Sequence, residues 1–125
     1  MISKDGAPRA KLAAATLPTA FGESWELEID TLNASRIALL LTLVRVAATT
    51  VALQIEYSDD KQTWYTLLGA SSGTLTTDVV TYTTSSSGSF AVEFVPLARH
   101  VRIRALGANS TTDTLACKAL GSNMA

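Results

Sequence analysis

VALQIEYSDDKQTWYTLLGAS, residues 51–71, decides the fold class. Val51, Leu53, Ile55 and Tyr57 alternate with Ala52, Gln54, Glu56 and Ser58. A half-buried strand imposes that period of two, because successive side chains leave a pleated strand on opposite faces. Ser58-Asp59-Asp60-Lys61 then supplies a turn, and a returning strand is expected from Gln62 to Leu68. Asp suits such a turn because its side chain bonds the backbone a few residues on. The adjacent Asp59 and Asp60 are therefore read as turn residues, not as a hard-cation site or a glycosidase pair. DDKQTW offers few further oxygen ligands at the spacing of a calcium loop.

Working outward, the same alternation recurs. Trp25, Leu27 and Ile29 alternate with Glu26, Glu28 and Asp30 as a half-buried strand. RIALLLTLVRV (36–46) is apolar on both faces, which predicts a central strand or one covered by another chain. GASSG (69–73) reads as a loop, and TLTTDVVTYTT (74–84) as a polar strand suited to an edge. After the SSSG turn, Phe90, Val92 and Phe94 alternate before Pro96. RHVRIRALG sends Val101, Ile103 and Ala105 inward and His100, Arg102 and Arg104 outward, and TLACKAL sets Leu115, Cys117 and Ala119 on one side. About eight antiparallel strands without a long helical pattern predict one all-β domain, a β-sandwich or jelly roll. It spans residues 23–125, behind an extended N-terminal arm of residues 1–22.

That arm differs in texture. KDGAPRAKLAAATLPTA has little periodicity, two prolines, and an Ala run too short for an isolated helix. Such a segment holds a fixed shape only where something supplies a bed, and a neighbouring subunit offers more surface than one small domain. Pro8, Arg9, Lys11, Leu12 and Leu17 are accordingly partner-contact candidates.

The 125 residues suffice for a single core without staples. With a formal charge of -1 and a pI near 5.7, no general attraction to nucleic acid or an acidic membrane is expected. One cysteine, Cys117, rules out an internal disulfide and reads as a buried thiol. The longest apolar run, Ile37 to Val44, falls far below the ~18–20 residues of a membrane span. Asp5 and Pro8 interrupt any signal-peptide pattern, so synthesis in a cytoplasm is expected. The sequons at Asn33 and Asn109 then read as chance matches.

Catalysis needs polar side chains converging on a pocket, and the chain has a single histidine, His100, beside Arg102 on a polar strand face. GASSG (69–73) fits G-x-S-x-G in its letters, but no helical pattern follows it as a nucleophile elbow requires, and there is no phosphate-binding glycine loop and no Cys/His ligand spacing. The reading is not an enzyme, with no cofactor and no metal. The basic row Arg99, His100, Arg102, Arg104 is expected to be balanced by Glu56 or Glu93 across strands. The alternative keeps Arg102 and Arg104 as partner contacts. Nucleic-acid binding by a β surface would interleave aromatics with that row, and none are there. Trp64 and Tyr65, consecutive on a strand, point to opposite faces, so at most one enters the core. The other packs under a loop, stacks on a ligand or is buried at an interface; the sequence leaves these open.

IEYSDDKQTWYTL followed by FVPLARHVRIRALG resembles the C-terminal half of discoidin-like (galactose-binding-like) jelly rolls over roughly residues 51–107. In that family an S-x-D-G-x-x-W turn and a V-R-I strand recur. Lys61 stands where glycine is usual and His100 where an aromatic is usual. The family's ligand loops and cysteine pair have no match, so no sugar or lipid site carries over. In composition and arm, the chain also resembles small structural proteins of tailed-phage virions, and among them capsid decoration or cement proteins. That resemblance implies a homo-oligomer, with a trimer favoured, at the capsid surface of a virion. It would be seated on the major capsid protein and stabilise the lattice by surface burial, with no nucleic-acid or membrane partner. Two rivals stand beside it: a carbohydrate-binding module of a phage tail or fibre, with Trp64 or Tyr65 exposed, and a tail or connector component.

Overall fold

The computed structural model describes residues 2–4, 8–66, 68–71, 74–77, 79–83, 86–109 and 111–124. In chain order the strands are β1 (Ile2–Lys4), β2 (Ala10–Thr16), β3 (Glu26–Asp30), β4 (Arg36–Val44), β5 (Thr50–Ser58) and β6 (Tyr65–Thr66). There follow β7 (Leu68–Ser71), β8 (Thr74–Thr77), β9 (Val79–Thr83), β10 (Gly88–Phe94), β11 (His100–Gly107) and β12 (Thr114–Met124). Among the described residues there is no helix. The first sheet runs β1-β12-β4-β10, with β2 also on β12. The second runs β3-β11-β5-β6, with β9 also on β5. Every strand pair is antiparallel.

The expected sandwich forms, for the reason the alternation implies. Leu39, Leu41 and Leu43 of β4 and Leu115, Cys117 and Ala119 of β12 meet Leu53 and Ile55 of β5 and Val101, Ile103 and Ala105 of β11 in one buried cluster. Trp25 is fully buried there, and its indole Nε1–H donates to Leu115 O at 2.9 Å, which ties the approach to β3 to the opposite sheet. Apolar burial stabilises by about 25 cal/mol per Å2, and a buried indole N–H without a partner would forfeit part of it. Strand β4 is central, flanked by β12 and β10, as its two-sided apolar character predicts.

The twelve strands exceed the expected eight because the arm supplies β1 and β2, the Thr-rich segment divides into β8 and β9, and the return of the hairpin is broken. Only Tyr65–Thr66 pairs with β5, and Leu68–Ser71 leaves to form a separate ribbon with Thr74–Thr77. GASSG is therefore largely strand where a loop was expected; residues 72 and 73 lie outside the described residues. Val79–Thr83 pairs along β5 beside β6, the edge position expected of the Thr-rich segment.

The arm is the larger correction. Ala10–Thr16 pairs with β12 from Thr16↔Thr114 to Ala10↔Ala119, with a register shift between Leu115 and Cys117. Over that shift three residues of β2 span two of β12, so Ala13 and Ala14 are both exposed while Leu12 and Ala15 both pack against the core. A bulge of this kind inserts one residue and turns the following side chains to the other face. That is why the segment looks aperiodic in sequence. Leu17 is fully buried, its N–H donating to Asp113 O at 2.8 Å, and Pro18 O accepts from Gly107 N at 2.8 Å. Residues 10–17 thus belong to the sandwich, and a boundary at residue 22 does not divide them from it. Their bed is the long outer edge of the 11-residue β12 of the same chain.

Candidate functional site

The outward face of the second sheet carries the charged row. Arg102 forks onto Glu56 with two hydrogen bonds of 3.0 Å, and Arg104 grips Glu26 at 3.0 and 2.9 Å. Cross-links of 3.5 Å (Arg102–Glu26) and 3.6 Å (Arg104–Glu56) close the four into a ring of alternating charge. Glu56 is buried beneath the two guanidinium groups, although its position in the alternation faces outward. Arg102 and Arg104 are thus balanced by Glu56 as expected, and are committed to the fold rather than free for a partner. Glu93, the other expected counter-charge, lies on the first sheet and pairs with Arg36. Arg99 forks onto Asp30 at 3.1 and 3.0 Å. That hydrogen bond, with one from the Leu32 N–H, holds the Asp30 carboxyl down at about 2.

The Ser58–Thr63 turn is held by side chains. Asp60 Oδ1 accepts from the N–H groups of Gln62 (2.8 Å) and Thr63 (3.0 Å) and pairs with the Ser58 hydroxyl, which itself accepts from Lys61 N at 2.8 Å. These backbone N–H groups keep the Asp60 carboxyl below its ordinary value. The turn function of the acidic pair is thereby accounted for by Asp60, and Ser58 is buried for it rather than outward. Lys61 has φ of 63°, in the left-handed region, where glycine is the less strained residue.

The turn delivers Trp64 onto the outward sheet face. The Arg102 guanidinium carbon lies 4.4 Å from the centroid of its ring, a cation–π contact. Neither member of the aromatic pair enters the core: Trp64 is half-buried on Arg102, and Tyr65 is 61% exposed. Beside Trp64 opens a groove of about 350 Å3, floored by β3 and β11 at Ile29 and Val101 and walled by Arg9, Glu28, Asp30, Lys61, Trp64 and His100. Arg9 reaches it because β2 lies on the fold. Its Nη1 donates to Asp30 O at 3.2 Å and Leu32 O at 2.8 Å.

The outward face of the first sheet has another character. Leu40 in the middle of β4 is 38% exposed and Val44 is 53% exposed. Leu40 stands opposite Ala91 on one side and Lys118 on the other, while Ala38 stands opposite Leu120. Two shallow concavities cover this area, one around Leu40, Ala91 and Lys118 and one around Ala38, Leu40 and Leu120. Lys118 is directly opposite Lys11 on β2, and both are exposed. Of the arm candidates, Lys11 and Pro8 are exposed, Leu12 is half-buried against the core, and Leu17 is wholly enclosed and unable to reach a partner.

Two side chains escaped sequence reasoning. Asp113, inside the NSTTD turn, is fully buried and its carboxylate accepts from the N–H groups of Val46, Ala47 and Ala48, clamping the loop after β4. Glu28 joined the groove without being singled out. Cys117 is buried as expected, and burial pushes its thiol up to about 12. Asn33 and Asn109, the sequon residues, have φ of 65° and 66° and are turn asparagines. Among the described residues no group of three or more His, Cys, Asp and Glu is placed to hold a metal ion.

No family model matches this chain, and no curated protein matches it. Among solved structures, one named BiXyn10A CBM1 in its apo form is similar at 11% identity and a TM-score of 0.36, over 98% of this chain and 97% of that one. A likeness at that level carries no argument about what this chain does.

Proposed function

We propose that the chain is a non-enzymatic structural protein of a virion, a capsid decoration protein that works as an oligomer and seats the outward face of its first sheet on the major capsid protein lattice. The observation that carries the reading is the exposure of Leu40 and Val44 on a central strand. The uncovered face of an antiparallel sheet normally reads as polar, and this one sets Leu40 beside Ala91 and near Ala38 and Leu120, with Lys118 its direct neighbour on β12. Covering an apolar side chain completely contributes about 1.5–3 kcal/mol, so partial gains repeated across a lattice suffice without covalent bonds.

The charges beside that patch support a partner of opposite sign. Lys11 and Lys118 face each other across a strand pair, and like charges so placed repel. Among the described residues neither has an ion pair. A lattice surface that offers an apolar residue to Leu40 and a carboxylate to the two lysines satisfies both features. The arm that was expected to clamp the lattice is instead part of the sandwich, so the sheet face replaces it as the docking element.

The test is binding of the purified chain to capsid shells stripped of it. Leu40→Glu is expected to weaken binding by about tenfold or more while leaving the melting temperature nearly unchanged, because exposed substitutions seldom shift stability by more than about 0.5 kcal/mol. Shells that bind Leu40→Glu as well as the parent chain contradict the proposal.

A further inference from the structure

The first sheet ends on β10, and no described strand lies along its outer edge. An open edge attracts another strand, and folds guard theirs with charges, proline, bulges or very short strands. The other long edges carry such guards. β3 has Glu26, Glu28 and Asp30 within five residues, and β2 has Lys11 beside its bulge. β10 runs for seven residues, GSFAVEF, without lysine, proline or a break in register. Its one charge, Glu93, is paired with Arg36 of the same chain.

The side chains of β10 agree with its backbone. Phe90, Val92 and Phe94 pack against the core, yet all three stay half-buried, whereas Leu39, Leu41 and Leu43 on the neighbouring strand are at most 1% exposed. A further strand on this edge would cover that remaining apolar surface.

A second copy of β10 fits the edge. Opposed residues of an antiparallel pair share a face, so inward residues must meet inward residues. The register centred on Ala91 does this with all seven residues: Ala91 meets Ala91 of the other copy, Phe90 meets Val92, Ser89 meets Glu93 and Gly88 meets Phe94. Each Glu93 gains a hydroxyl as its neighbour, and the two Glu93 carboxylates stand roughly 13 Å apart along the strands. The same operation on β3 would set Glu28 against Glu28, and like charges so placed repel.

We propose that two copies of this chain pair antiparallel along β10 about Ala91, joining their first sheets into one continuous sheet. The contact is isologous and closes at two copies, a dimer and not the trimer that the resemblance to decoration proteins implies. Its two-fold axis is normal to the sheet, so both Leu40 faces look to the same side. The dimer does not rest on the docking reading. Where that reading holds, one docked face raises the effective concentration of the other.

Sedimentation equilibrium of the full chain, with no capsid shell present, separates this outcome from that of docking. A two-chain mass is expected at a concentration on the order of 100 μM. Ala91→Lys alters an exposed residue and sets like charges on the axis, so association should weaken by about fivefold or more. The register is read by thiol cross-linking. Ala91→Cys should form an intermolecular disulfide under mild oxidation, because directly opposed residues lie within disulfide reach. Ser89→Cys, opposite Glu93, should not, and the native Cys117 is buried away from both. The cysteine pair keeps the test decisive should Ala91→Lys disturb the fold. A one-chain or three-chain mass for the parent chain, or Ser89→Cys cross-linking as readily as Ala91→Cys, would overturn the proposal, as would Ala91→Lys associating like the parent.

Discussion

Lys61 shows how one residue records both a fold requirement and a departure from it. The Ser58–Thr63 turn needs a left-handed backbone at this position, and Lys61 supplies it at φ 63° against the steric preference of a residue bearing a Cβ. Lys61→Gly is expected to raise stability by about 1 kcal/mol in urea unfolding, and a loss would mean that the ammonium stabilises the fold in a way its surroundings do not show. Glu56 is the complementary case. Its outward position reads as solvent-facing in sequence, yet Arg102 and Arg104 bury it, because two guanidinium groups on one neighbouring strand need a carboxylate between them. Burial of a charge is tolerated when it is paired and hydrogen-bonded in this way.

Among elements, β2 carries the main revision. Leu17→Ala is expected to destabilise the chain by about 2–5 kcal/mol, the usual cost of emptying a buried leucine site, whereas Pro8→Ala on the exposed approach should cost under about 0.5 kcal/mol. Equal, negligible effects in thermal unfolding would show that residues 10–17 do not belong to the sandwich. The strands that were readable beforehand are those in which alternation alone assigns the faces: Leu27 and Ile29 in β3, Val51 to Tyr57 in β5, Val101 to Ala105 in β11, and Leu115 to Ala119 in β12. β2 was not readable, since its bulge breaks the alternation at Ala13-Ala14 and its inward residues are mostly alanine. Nor was the groove, which joins Arg9, Glu28, Lys61, Trp64 and His100 from four separate stretches of chain. Local periodicity reports which way a side chain points, not which distant side chains it will meet.

For the whole molecule, the two outward sheet faces differ in character. The first sets Leu40 between Ala91 and Lys118, with Lys11 beyond on the edge strand; the second carries the ring of Arg102, Glu56, Arg104 and Glu26 with Trp64 beside it. The docking claim is tested most directly by amide hydrogen exchange on the chain free and bound to stripped capsid shells. Backbone hydrogen bonds within a packed sheet already slow exchange, so the informative quantity is the added protection on binding. Added protection is expected to concentrate in residues 36–44 and 114–122 and to leave 26–30 and 100–104 unchanged. Protection confined to the second sheet, or none in the first, would contradict it.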